Sequence, residues 1–109
     1  ICDPFSVVVV PFPYTENPDR SKRRPAVVLS RSTFNEQTAR SVCAMITSSL
    51  LPWPHDIIIR DLETAGLTRP CVVRMKLFTL ENRFMLRQSG VLSPADRQAV
   101  AASVHSADN

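Results

Sequence analysis

Apolar residues in this chain come in short blocks separated by polar and turn-forming stretches. The first block, residues 7–10, is four consecutive valines, a β-branched run too short for a helix of its own and suited to a strand. Pro11 and Pro13 flank Phe12, fix two backbone angles and remove two amide donors, so the strand is expected to end there in a bend. Residues 14–23 mix charges around Asn17 and Pro18 with no apolar period, which describes an exposed connecting loop. Pro25 then opens a second strand at 26–29. Residues 32–38 are polar around Phe34 and suit a helical turn or a loop, 41–47 return to β character as a third strand, and the apolar triplet 57–59 makes a fourth.

One of only two glycines, Gly66, sits in the segment Thr64-Ala65-Gly66-Leu67 and marks a turn with a backbone angle that other residues avoid. Residues 71–74, 77–80 and 84–86 follow as short strands or strand and turn pieces. After Gly90 the pattern changes. Ser93, Pro94 and Asp96 take the N-cap, first-turn and third positions of a capping box, with Asp in place of the usual Glu or Gln. A helix over 94–105 would align Val100 and Val104 on one side and cover a barrel opening or edge. Five or more short strands and one terminal helix predict a mainly β fold, a small, partly open barrel or strongly bent sheet. At 109 residues, a single domain spanning 1–109 is expected.

Composition adds limits. No apolar stretch approaches the ~20 residues of a membrane-spanning helix, and residues 1–30 lack a secretory leader pattern, so no membrane association and a cytoplasmic location are expected. Cys2, Cys43 and Cys71 are an odd set without close spacing, read as reduced thiols. His55 and His105 are isolated, so neither a metal nor a cofactor is expected. The net charge of +3 is mild, but Arg20, Lys22, Arg23, Arg24 and Arg31 are clustered, which suits either a solvated loop or an anionic polymer.

The segments Val-Val-Pro-Phe-Pro-Tyr-Thr at 9–15, Lys-Arg-Arg-Pro-Ala-Val-Val-Leu-Ser at 22–30, Ile-Thr-Ser at 46–48, Ala-Gly-Leu at 65–67, Val-Val-Arg at 72–74 and Gly-Val-Leu-Ser at 90–93 resemble MazF/PemK-type toxins in order and spacing. The resemblance runs nearly end to end. It implies an SH3-like (CcdB/MazF/PemK-like) β-barrel with a C-terminal helix, acting as a homodimer and as the toxin of a type II toxin–antitoxin pair. It further implies a metal-independent, sequence-specific endoribonuclease that cuts single-stranded RNA to 2′,3′-cyclic phosphate ends and is held by a cognate antitoxin. Arg24 matches the family's catalytic arginine, Thr47 its catalytic threonine, and Arg74 an arginine implicated in PemK-like members. Phe5 and Ser6 stand where the family commonly has Gly-Asp, Cys71 replaces a common serine, and Lys76 falls where some PemK-like members carry a catalytic aspartate.

Cyclic-phosphate cleavage takes its nucleophile from the substrate's own 2′-hydroxyl, so the protein must supply donors and positive charge at the pentavalent phosphate. A guanidinium, forked and always charged, suits that task at Arg24, and a rigid strand-end hydroxyl suits it at Thr47. Arg74 is either a further phosphate contact or the partner of Asp61 or Glu63; Ser48 and His55 are further candidates, with His55 or Asp56 as a general base. Lys22 and Arg23 suit the RNA backbone, and Tyr14 and Trp53 suit base stacking. Phe12 reads as core, and Trp53, between Pro52 and Pro54, as either a base platform or a protein contact. The alternative class is a binding protein: a catalytically degenerate copy, or a CcdB-like toxin that acts on a protein target or a nucleic acid without cutting.

Overall fold

β-Branched and small apolar residues set the sheet in the computed structural model, which describes residues 3–12 and 22–107. Strands β1 (Ser6–Phe12), β2 (Lys22–Val28), β3 (Arg40–Thr47), β4 (Ile57–Ile58), β5 (Val72–Glu81) and β6 (Arg87–Val91) form one antiparallel sheet in the order β4-β5-β3-β2-β1-β6. The sheet curls into a half-barrel with β4 and β6 at its open edges. Helices α1 (Ser32–Thr38), α2 (Leu62–Ala65) and α3 (Pro94–Ala107) complete it.

The valine run is buried on both faces of the sheet. Val7 packs with Val27, Ala44, Ile46 and Val73, a cluster that Val100 of α3 joins. Val8 and Val10 turn to the opposite face, against Ala26, Val28, Cys43 and Leu80. A strand covered on both sides has no polar face to expose, hence an unbroken apolar run in place of alternation.

β1 ends at Phe12, inside the expected limit of Pro11 to Pro13, whereas β2 starts earlier than expected. β1 continues through Pro11 to Phe12, with Pro11 opposite Arg23. Val9 turns its carbonyl away from β2, accepting from Leu86 N (2.8 Å), and Pro11 faces the same way by the two-residue period, beyond where β6 pairs. β2 likewise starts at Lys22, with Pro25 inside it, so Lys22 and Arg23 lie on a strand and not in a loop. Pro25 lies opposite Val9, just beyond the three-residue pairing of β2 with β3 over Ala26–Val28. Past that point the two strands diverge.

Residues 71–74 and 77–80, read as separate pieces, belong to one ten-residue strand apart from Cys71. Its register jumps from Leu77 to Arg74 opposite the consecutive Ala44 and Met45, leaving Met75 and Lys76 as a bulge that breaks the alternation. Residues 84–86 are not a strand: a single 3-10 turn spans Asn82–Phe84 and β6 starts later, at Arg87. Asn82 decides this locally, its amide donating to Asn35 O (2.9 Å) and its Oδ1 accepting from Ser41 Oγ (2.6 Å).

Ser93 caps α3 as expected, its Oγ accepting the Asp96 N–H at 3.2 Å, and the helix runs on to Ala107. The Asp96 carboxylate does not close the capping box. It is buried and accepts the backbone N–H groups of Arg60 (3.1 Å) and Asp61 (3.1 Å), tying α3 to the segment entering α2.

Candidate active site

The divergence of β2 and β3 opens two clefts that share Arg24, Ile46 and Thr47. The smaller, about 370 Å³, is lined by Lys22, Arg24, Trp53, Arg74 and Lys76 over Phe12 and Met45. The larger, about 670 Å³, carries Arg23, Arg69 and Arg87 with the hydroxyls of Ser48, Thr68 and Ser89. Strand alternation sorts the basic run: Lys22 and Arg24 face the smaller cleft, whereas Arg23 lines only the larger.

Arg24 is exposed on β2 opposite Val10 and forms no ion pair with any described residue. Thr47 closes β3, its Oγ accepting the Ser49 N–H at 3.1 Å. That is the local backbone bond a strand-end threonine commonly makes, and it leaves the hydroxyl proton to be donated outward. The structure therefore places both motif residues on the wall common to the clefts. Ser48 is exposed and lines the larger cleft.

Arg74 pairs with neither Asp61 nor Glu63. Its Nε donates to Asp56 Oδ1 (3.2 Å), and Nη2 donates to Asp56 Oδ2 (3.0 Å) and Leu51 O (2.7 Å). Both side chains are largely buried, 10% and 12% exposed. The guanidinium also lies 4.9 Å from the centroid of the Trp53 ring, and Trp53 N–H donates to Asp56 Oδ2 (2.9 Å). Burial works against ionisation of Asp56, but the Arg74 and Trp53 donors and the arginine charge outweigh it and hold the carboxyl below its usual range. A carboxylate so engaged is a poor general base. Asp61 instead caps α2 through Thr64 N (3.0 Å) and Oγ1 (2.8 Å).

His55 lines neither cleft; it has a left-handed φ of 68°, and its carbonyl accepts from Ser103 Oγ at 2.6 Å. Tyr14 lies outside the described residues. Cys71 borders the larger cleft, where burial pushes its thiol pKa up and leaves it a poor nucleophile. Among the described residues no three His, Cys, Asp or Glu side chains gather as metal ligands, and no helix is long and apolar enough to cross a membrane. Sequence reasoning missed Arg69 and Arg87 as cleft residues, and it marked Lys76 only as a departure from an aspartate of some PemK-like members. Their places in the clefts were not legible, because the bulge and the α2–β6 packing that aim them are tertiary.

A curled antiparallel half-barrel with cations and hydroxyls around two joined clefts makes this a small β-barrel protein with a basic, hydroxyl-rich cleft surface. The family model for the PemK-like, MazF-like toxin of type II toxin–antitoxin systems matches residues 3–107, and the chain belongs to that family. It is similar to the endoribonuclease toxin MazF of Escherichia coli K12, 22% identical over 103 residues that cover 94% of this chain and 90% of the relative. Among solved structures it is similar to the Mycobacterium tuberculosis toxin MazF-mt6, at a TM-score of 0.75 and 21% identity over 94% of this chain and 95% of that one. An endoribonuclease in complex with its cognate antitoxin from a mycobacterial species aligns at a TM-score of 0.78 and 18% identity, covering 96% and 92%.

Proposed function

We propose that this toxin is a metal-independent endoribonuclease that cuts single-stranded RNA to 2′,3′-cyclic phosphate ends, with Arg24 and Thr47 acting on the scissile phosphate. The observation that carries the reading is their shared position: both lie on the wall common to two cation-lined clefts. In the reaction the 2′-oxygen loses its proton and bonds to phosphorus as the bond to the 5′-oxygen breaks and that oxygen takes up a proton. Negative charge grows on the phosphoryl oxygens meanwhile, where the Arg24 fork and the Thr47 hydroxyl proton stabilise it. Because the nucleophile is the substrate's ribose, DNA is not cut. Arg23 and Lys22 follow the backbone of the strand. The same reading gives the chain, as a single domain, a cognate antitoxin, a second copy in a homodimer and a cytoplasmic location.

The test is incubation with mixed single-stranded RNA in excess chelator, followed by end-group analysis. Discrete cuts with cyclic-phosphate ends are expected, abolished in Arg24→Ala and reduced ~10² to 10³-fold in Thr47→Ala. Arg24 is exposed, so its variant should keep the wild-type unfolding midpoint. Intact RNA from folded wild-type protein would replace this reading with that of a binding toxin.

A further inference from the structure

The smaller cleft has what the larger lacks, an aromatic wall that is fixed in place. Trp53 is 45% exposed, and the guanidinium of Arg74 lies against its ring. Five hydrogen bonds hold the turn that carries it: three from Arg74, one from Trp53 N–H to Asp56, and one from Asp56 N–H to Trp53 O (3.3 Å). The ring is thus preorganised, so little side-chain freedom is lost when a ligand packs on it. Arg74, with Asp56 taking two of its donors and Leu51 O sharing one, is committed to this turn.

In the same cleft, the bulge in β5 brings in Lys76, whose ammonium lies 5.4 Å from the centroid of the Phe12 ring. Lys22 lines the same cleft. A flat aromatic side chain and two amines lining one cleft match one nucleotide unit, a base to stack and a phosphate to neutralise. Because the cleft ends at Arg24 and Thr47, that unit adjoins the phosphate held there.

We propose that the smaller cleft is a single-nucleotide subsite flanking the scissile phosphate, in which the base stacks on Trp53, Lys22 and Lys76 hold its phosphate, and the Asp56–Arg74 pair positions the tryptophan without touching RNA. The inference rests on the nuclease reading for the word "scissile" alone; the subsite itself is a matter of binding.

Trp53 is the chain's only tryptophan, so its emission reports on the cleft directly. The full protein is titrated with a mixed-sequence single-stranded RNA carrying 2′-O-methyl riboses, which lacks the attacking hydroxyl, while anisotropy of a label on the oligonucleotide follows total binding. Saturable quenching of Trp53 in step with anisotropy is expected. Lys76→Ala should weaken binding and reduce the slope of log affinity against log salt by about 0.7, one single-strand phosphate contact. Trp53→Leu should weaken it by about 5- to 150-fold. Arg74→Lys keeps the charge but not the fork, so it should shift the emission of the free protein and raise KM for cleavable RNA more than it lowers kcat. Unfolding midpoints confirm that each variant is folded. Binding without any change in Trp53 emission, or a Lys76→Ala variant with full affinity and slope, overturns the subsite. If RNA is still cut in an Arg24-dependent way, the subsite alone has failed; quenching without cut products sinks the nuclease reading and supports the subsite.

Discussion

Asp56 shows how a single side chain can serve the site without entering it. Arg74 and Asp56 are both nearly out of solvent, so removing one charge strands the other, and Asp56→Asn is expected to cost about 2–3 kcal/mol. The carboxyl is held below its usual range in the folded protein, so its contribution is fully present above about pH 4, the unfolded carboxylate's value, and is lost as pH falls through the lower folded value. Urea midpoints of the wild type and Asp56→Asn should therefore differ at pH 7 and converge as acid protonates the folded carboxyl; a constant gap would show that the charge is not what the pair contributes. Phe5 offers a second residue-scale lesson. Its φ of 67° is a left-handed angle that glycine adopts freely and phenylalanine rarely. Here the phenyl ring packs against the first core cluster, and its backbone is held by Val28 O (2.6 Å) and Leu92 N (3.0 Å).

Between elements, α2 packs closely on β6, and the contact uses both glycines of the chain. A Cβ on Gly66 would lie 2.1 Å from Ser89 O, and one on Gly90 would lie 2.3 Å from Thr64 O. The sequence marked Gly66 through its turn, and its φ of 72° agrees. Nothing in the sequence showed that Gly90 is its counterpart, because that requirement comes from a backbone 24 residues or more away in the chain, seen also in Ser89 Oγ donating to Ala65 O (3.1 Å). Gly90→Ala is expected to lower stability by about 1–3 kcal/mol through overpacking, read as a drop in thermal midpoint of about 4 °C or more. Since Gly66, Ser89 and Arg87 border the larger cleft, RNA affinity should fall with it. An unchanged midpoint would mean that α2 can move off β6 freely.

The whole molecule carries a net charge of only +3, yet its cations gather around the two joined clefts. A strand crossing both would have three or more phosphates neutralised. Its affinity should then fall with a log–log salt slope of about −2 or steeper, at ~0.7 per single-strand contact. A slope near −0.7 would leave one phosphate bound, and the clefts would not form a continuous path.

Much of this protein was legible in the chain because the information was local. Valine runs make strands wherever they lie, Ser93 and Pro94 start a helix by their own backbone chemistry, and Gly66 turns by its missing side chain. Arg24 and Thr47 drew notice through motif resemblance, and their places, third in β2 and last in β3, follow from local strand pattern. What the sequence could not decide depends on residues far apart. Whether Pro11 and Pro25 end a strand is settled by which neighbour is missing beside them, and whether 71–80 is one strand or two is settled by the register of β3. Of the two readings of Arg74, a phosphate contact or a partner of Asp61 or Glu63, the second named the wrong carboxylates, because folding the β3–β4 connection back over β5 brought Asp56 to it. Charge and hydrophobicity are written one residue at a time, but a buried pair, a bulge or a backbone contact exists only between segments that the tertiary fold has already brought together.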